Sequence, residues 1–353
     1  MTDLTAYIAG LPKAELHVHH VGSASPRIVA ELAARHNADR GGSAALRAKG
    51  DEGGTPVPAD PAALADFFAF RDFAHFVEIY LSVVDLIRDD EDVRMLTYEI
   101  ARELDHGNVR YAELTVTPYS HVRRGIPAPA FCAAIEDARI RAAADFGVQL
   151  RWIFDIPGEA GLPAAEETLR IALDERPDGL IGFGLGGPEI GVPRGQFKPY
   201  FDKARAAGLH SVPHAGETTG PETVWDALRE LGAERIGHGI AAARDQRLMA
   251  HLAEHGIPLE VCPTSNVRTR AVADIAEHPL PALVAAGVPV SINTDDPPMF
   301  GTTIEQEYAV AARLLDLDAA GVTELARAAV RASFLAEGDR SRLLAEIDAY
   351  AAG

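Results

Sequence analysis

The chain has 353 residues, with 52 acidic side chains against 33 basic ones and a formal net charge of -19. An excess of negative charge that large excludes the phosphate backbone of nucleic acid and an anionic membrane surface as main partners. Two cysteines, Cys132 and Cys262, are too few for a secreted disulfide framework, and no stretch approaches the ~18 apolar residues of a membrane span.

Residues 1–13 carry no basic leader followed by an apolar core, so the expectation is a cytoplasmic protein. Self-association into a homo-oligomer stays open. Taken in order, short apolar runs predict strands at 14–19, 109–116, 148–156, 179–185, 210–214, 235–237, 258–261 and 288–293. Amphipathic stretches predict helices at 27–36, 91–106, 128–146, 164–174, 198–207, 222–231, 245–255 and 278–286. Eight strands joined by helical crossovers predict an α/β fold, a (β/α)8 TIM-type barrel over 1–353. Extra helices follow strand 1 and the last strand, and the active site belongs at the C-terminal ends of the strands.

Two segments break the rhythm. Residues 38–60, rich in Gly, Ala, Pro and charge, read as a mobile loop. Residues 61–106 read as a helical lid region, and its stretch from Phe67 to Tyr80, with Phe68, Phe70, Phe73 and Phe76, has a spacing that fits one helical face. That face is either a core stripe or a cover over an aromatic substrate.

Chemistry-bearing residues fall at the strand ends. In Glu15-Leu-His17-Val-His19-His20, alternation puts His17 and His19 on one face, inside the barrel near its mouth, and turns His20 elsewhere. His214-Ala-Gly-Glu217 ends the fifth strand with a third imidazole and a carboxylate whose proton a shielded site could hold for general acid catalysis. His238, between glycines after the sixth strand, can orient or deprotonate a water. The last strand runs into Asn293-Thr-Asp295-Asp296-Pro297-Pro298; alone, that pair would be an acidic surface turn. Beside the histidines, Asp295 completes a three-nitrogen, one-oxygen set with His17, His19 and His214. It suits one Zn²⁺ per chain with a position left for water, a metal that brings bound water's pKa toward ~7. Lys13, Lys49, Lys198 and Lys203 are the only lysines and none falls at a strand's C-terminal end, so a two-metal site bridged by a carboxylated lysine is not expected.

These motifs, with Leu11-Pro-Lys-Ala-Glu, Gly186-Gly187-Pro188-Glu189 and Glu260-Val-Cys262-Pro-Thr-Ser265-Asn266, resemble the adenosine deaminase family of the amidohydrolase superfamily over nearly the whole chain. The resemblance implies zinc-dependent hydrolytic deamination of a 6-aminopurine nucleoside. It implies that Glu217 protonates ring N1, His238 assists the water, Asp296 holds N7 and the Gly187 N–H meets N3. Where the family has an acidic residue that accepts the ribose 5′-hydroxyl, this chain has Val21, in His20-Val21-Gly22. With Phe183-Gly-Leu-Gly-Gly-Pro-Glu-Ile-Gly191, that departure most resembles the aminodeoxyfutalosine deaminases of the futalosine route to menaquinone, whose substrate carries a benzoate-ended chain at C5′. The expectation is then that the Phe67–Tyr80 stretch, with Phe73, covers the aromatic arm, and that Arg124, Arg123 or Arg268 meets its carboxylate. Adenosine is the alternative substrate; an inactive purine-binding protein is the alternative from another class.

Overall fold

The computed structural model describes residues 3–38 and 57–353. Eight strands, β1 (Lys13–His19), β2 (Val109–Val116), β3 (Gln149–Pro157), β4 (Leu180–Gly186), β5 (His210–Ala215), β6 (Ile236–His238), β7 (Leu259–Val261) and β8 (Val290–Ile292), form one sheet in sequence order. Every neighbouring pair is parallel. The sheet closes beyond the end of β8, where Val18 bridges Asp295. There the His19 N–H donates to the Asp295 carbonyl (2.8 Å) and the Asp295 N–H to that of His17 (3.1 Å). Asn293 completes the seam by accepting the Leu16 N–H at 2.8 Å. This is the (β/α)8 barrel that the strand spacing predicts, with boundaries displaced by one or two residues.

The strands are buried nearly end to end because helices cover the outside and side chains fill the inside. Helix ends carry the expected chemistry. Asp89 caps Asp90–His106 by accepting the Asp92 N–H (2.8 Å), and Asp90, Glu91 and Asp92 follow in its positive first turn. After β1 come Pro26–Ala38, Pro61–Phe67, Phe73–Val84 and Asp90–His106; Ile304–Leu315, Ala319–Ala332 and Glu337–Ala352 end the chain. The expected loop at 38–60 lies, over 39–56, outside the described residues. The aromatic stretch is not one helical face. Asp72 starts a new helix by accepting the His75 N–H (2.9 Å), which separates Phe67 and Phe68 from Phe73, Phe76 and Tyr80.

Charged residues face inward on three strands: Glu15, Glu113 and Glu260 are all within 1% of full burial. Arg235 pairs with both Glu113 and Glu260 and lies 4.3 Å from the Phe334 ring centre. Its two carboxylate partners repay the desolvation a lone buried guanidinium would suffer. Cys132 and Cys262 are buried and unpaired, and no helix among the described residues is long and apolar enough to cross a membrane.

Candidate active site

The end of β1 sets the geometry. His17 Nδ1 is 2.7 Å from Glu260 Oε2, which directs Nε2 toward the barrel axis, where it has no hydrogen-bond partner among the described residues. His20 turns outward to Thr97 (2.8 Å). Across the mouth, His19 Nε2 faces His214 Nε2 at 3.1 Å, while Asp295 Oδ1 lies 3.6 Å from His17 Nε2 and 3.5 Å from His19 Nε2. Donors bound tetrahedrally at ~2.0–2.1 Å stand about 3.4 Å apart, a spacing these three contacts approach, and His17, His19 and His214 form a cluster that could hold a cation.

Charge supports the same fit. Burial, then the proximity of His17 and the other imidazoles, holds His214 well below the usual histidine range, and burial brings His19 down to about 4. Both are neutral imidazoles with lone pairs to give. Burial also opposes a charge on His17, yet hydrogen bonds and charge from Asp295 and Glu260 raise it to about 10. Flanking carboxylates thus demand positive charge at this point, which a bound cation would supply. Cys262 also lies within reach of His17, His238 and Asp295. Burial first, then the acidic neighbours, keep its thiol protonated, so it is the poorer donor.

Asp295 and His238 adopt left-handed backbone conformations (φ 70° and 58°), uncommon for residues with a Cβ. Each side chain is held in place from the short helix after β7, Pro263–Arg268. Ser265 Oγ donates to Asp295 Oδ2 (2.6 Å), and Asn266 Nδ2 stands 3.1 Å from His238 Nδ1 while its oxygen meets His278 Nε2 at 3.2 Å. That assignment leaves the His238 proton on Nε2, which lies 3.7 Å from both Glu217 Oε2 and Asp295 Oδ2.

Two further carboxyls are pushed toward the protonated form. Burial, reinforced by the charge of Asp295, raises Glu217 to about 8, although Thr269 Oγ1 donates to its Oε1 at 2.8 Å. Burial and then the Asp295 charge raise Asp296 well above the carboxylate range, and its Oδ1 has no hydrogen-bond partner among the described residues. A Cβ at position 22 would fall 1.6 Å from that oxygen, so Gly22 is required by the carboxyl packed against it.

His19, His214, Glu217, His238, Asp295, Asp296 and Gly187 line one cavity, and His17 sits beneath it. Phe73, Phe76, Tyr80 and Phe300 wall its outer side, with Phe76 and Phe300 in ring contact (4.9 Å). Two sequence expectations land elsewhere. Val21 is buried in the turn after β1 and is not a lining residue. Arg124 does not reach the cavity because it is drawn to Asp85 Oδ1 (2.6 Å) and the Ser120 carbonyl (2.9 Å). Arg268 lies over the Phe70 ring (4.7 Å) and Arg123 near that of Tyr119 (6.0 Å), both also outside the lining. Sequence reasoning assigned no role to Thr117, Asp155 and Glu159 on the cavity wall. Asp155 accepts from Thr117 Oγ1 (2.6 Å), and burial raises it to about 6. An acid inside an otherwise apolar strand, as in Trp152-Ile-Phe-Asp155-Ile, was the available signal.

Residues 12–350 match the family model described as adenosine deaminase. Aminodeoxyfutalosine deaminase from Streptomyces avermitilis is 66% identical over 352 residues, covering 99% of this chain and 94% of that protein. Among solved structures, an adenine deaminase from Arthrobacter aurescens superposes with a TM-score of 0.87 at 29% identity, over 97% of this chain and 100% of its own. An amidohydrolase from Burkholderia ambifaria with bound Zn gives a TM-score of 0.87 at 25% identity, over 100% of this chain and 94% of its own.

Proposed function

The chain belongs to the adenosine deaminase family of hydrolytic deaminases, and from that premise we propose that it deaminates a 6-aminopurine nucleoside, 6-amino-6-deoxyfutalosine, to futalosine and ammonia. The observation that carries the chemistry is a cluster of His17, His19 and His214, with Asp295 beside two of them, next to two buried carboxyls, Glu217 and Asp296, in one cavity. Purine N1 and N7 carry lone pairs and no proton, so each needs a donor. Protonated Glu217 suits N1 and protonated Asp296 suits N7. Proton donation at N1 withdraws electrons from C6, where water adds; the C6–N bond then breaks and nitrogen leaves as ammonia. His238, with its proton on Nε2 toward Glu217 and Asp295, is placed to orient that water by donating to its oxygen. His17, His19, His214 and Asp295 would hold the metal, and Zn²⁺, the ion bound in the Burkholderia ambifaria relative, supplies the Lewis acid that makes water nucleophilic near neutral pH.

The substrate reading rests on the 66% identity to aminodeoxyfutalosine deaminase over almost the full chain. The wall of Phe73, Phe76, Tyr80 and Phe300 supports it, since it offers ring contacts to an aromatic arm. The test compares kcat/KM on 6-amino-6-deoxyfutalosine, adenosine and adenine. A preference for the arm-bearing nucleoside of tenfold or more is the expected outcome; a preference for adenosine or adenine would overturn the assignment.

A further inference from the structure

The turn that carries Glu217 is held by one buried carboxylate. Glu189, 5% exposed, follows β4 and is absent from the cavity lining. Its oxygens accept the backbone N–H groups of Gly216 (2.7 Å), Glu217 (2.7 Å) and Thr218 (2.8 Å), and the hydroxyls of Thr219 (2.7 Å) and Thr223 (3.2 Å). Gly216 reverses the chain at φ 69°, and a Cβ there would meet Val224 at 2.4 Å. Three successive N–H groups therefore converge on Glu189 in a nest closed over an anion.

Glu189 stays charged although buried. Burial opposes its ionisation, but hydrogen bonds from Thr219, Thr218 and Gly216 and the charge of Arg194 keep it below the usual carboxylate range. Arg194 is itself buried, 3.9 Å from Glu189 Oε2, and its guanidinium nitrogens have no hydrogen-bond partner among the described residues. The end of β4 is thereby locked to the end of β5, two residues after Gly187 on one side and at Glu217 on the other.

We propose that Glu189 is the positioning residue for the proton donor: it fixes the backbone of 216–218 so that the Glu217 carboxyl faces the substrate, and it touches no substrate itself. The inference rests on Glu217 being the acid at ring N1. Glutamine at 189 offers one acceptor oxygen where the turn presents three N–H groups, and its amide would confront the remainder. The turn would then relax, and misplacing a catalytic group by about 1 Å is enough to cost on the order of 10²-fold in rate.

A double-mutant cycle on the metal-loaded enzyme separates positioning from general support. Expected for Glu189→Gln is a kcat about 10²-fold lower, with KM within about threefold of wild type and metal content unchanged. In the Glu217→Gln background, whose residual ammonia release is followed over long incubation, the same change should cost less than about threefold, because its effect runs through Glu217. Equal losses in both backgrounds, or a wild-type kcat in Glu189→Gln, would overturn the inference. If Glu189→Gln fails to fold, Thr219→Val removes a single donor and should give a smaller kcat loss that again vanishes beside Glu217→Gln; a loss that persists there counts against positioning. Full activity in Glu217→Gln would overturn the acid reading and this inference with it, whereas an inactive Glu217→Gln with multiplying losses overturns this inference alone.

Discussion

The two ends of the cavity are built on different principles. At the inner end, His17, His214, Asp295 and Asp296 sit on or just beyond strand ends, at most 8% exposed, and the backbones of His17 and Asp295 are tied into the barrel seam. At the outer end, Phe73, Tyr80 and Leu81 project from a helix outside the barrel, and Leu81 is 37% exposed. Groups that must be placed within a few tenths of an ångström occupy the rigid part. Surfaces that only need to fit a particular substrate occupy the part that can repack. Inner substitutions should therefore change the rate on every substrate, and outer ones should change which substrate is preferred.

Asp295→Ala tests the inner end most severely. It removes the only oxygen of the cation set and leaves Ser265 without its acceptor. The expected result is loss of bound metal together with a fall in kcat/KM on the order of 10⁴-fold, since a Lewis acid contributes several kcal/mol to such a reaction. Elemental analysis beside an ammonia-release assay reads both. Retention of full metal content in an inactive Asp295→Ala would remove Asp295 from the ligand set.

The contrast between the two ends also explains what the sequence revealed. His17, His19, His214 and Asp295 were legible because alternation along a strand and its abrupt end fix where a side chain points. The supporting groups were harder. Glu260 behind His17, Asn266 behind His238 and Glu189 behind the Glu217 turn act across strand-to-strand contacts that no local pattern encodes, although a charged residue inside an apolar run, as at Glu113 and Glu260, hints at them. The outer wall was misread for a simple reason. The helical spacing from Phe67 to Tyr80 was real, but Asp72 caps a new helix in the middle of it. Arg124 looked free to meet a substrate carboxylate until the fold brought Asp85 to it.

Asp296 gives the next largest effect. If a protonated carboxyl donates to N7, Asp296→Ala should retain metal and lose about 10- to 100-fold in kcat/KM, the range of one strong buried hydrogen bond at ~1.5–3 kcal/mol. Asp296→Asn keeps a donor and should lose less than Asp296→Ala on every 6-aminopurine tested. Equal losses in the two variants would mean that the ionised form is the one that matters, contrary to the upward shift that burial and Asp295 impose on this group.

Phe73→Ala tests the outer end, and its effect should be the smallest and the most selective. The ring lines the cavity, is only half-buried, and lies 5.9 Å from that of Phe76, so truncation opens the wall without touching the cation set or the acids. Partial burial of one aromatic contact contributes about 1–2 kcal/mol, which corresponds to a KM rise of roughly 5- to 30-fold. That rise should appear with 6-amino-6-deoxyfutalosine and stay within about threefold for adenosine, which has no arm to lose. Steady-state kinetics on both substrates measures the ratio. An equal rise on the two would place Phe73 against the nucleoside core, and the outer end would then serve binding of the purine itself and not selection of what is attached to it.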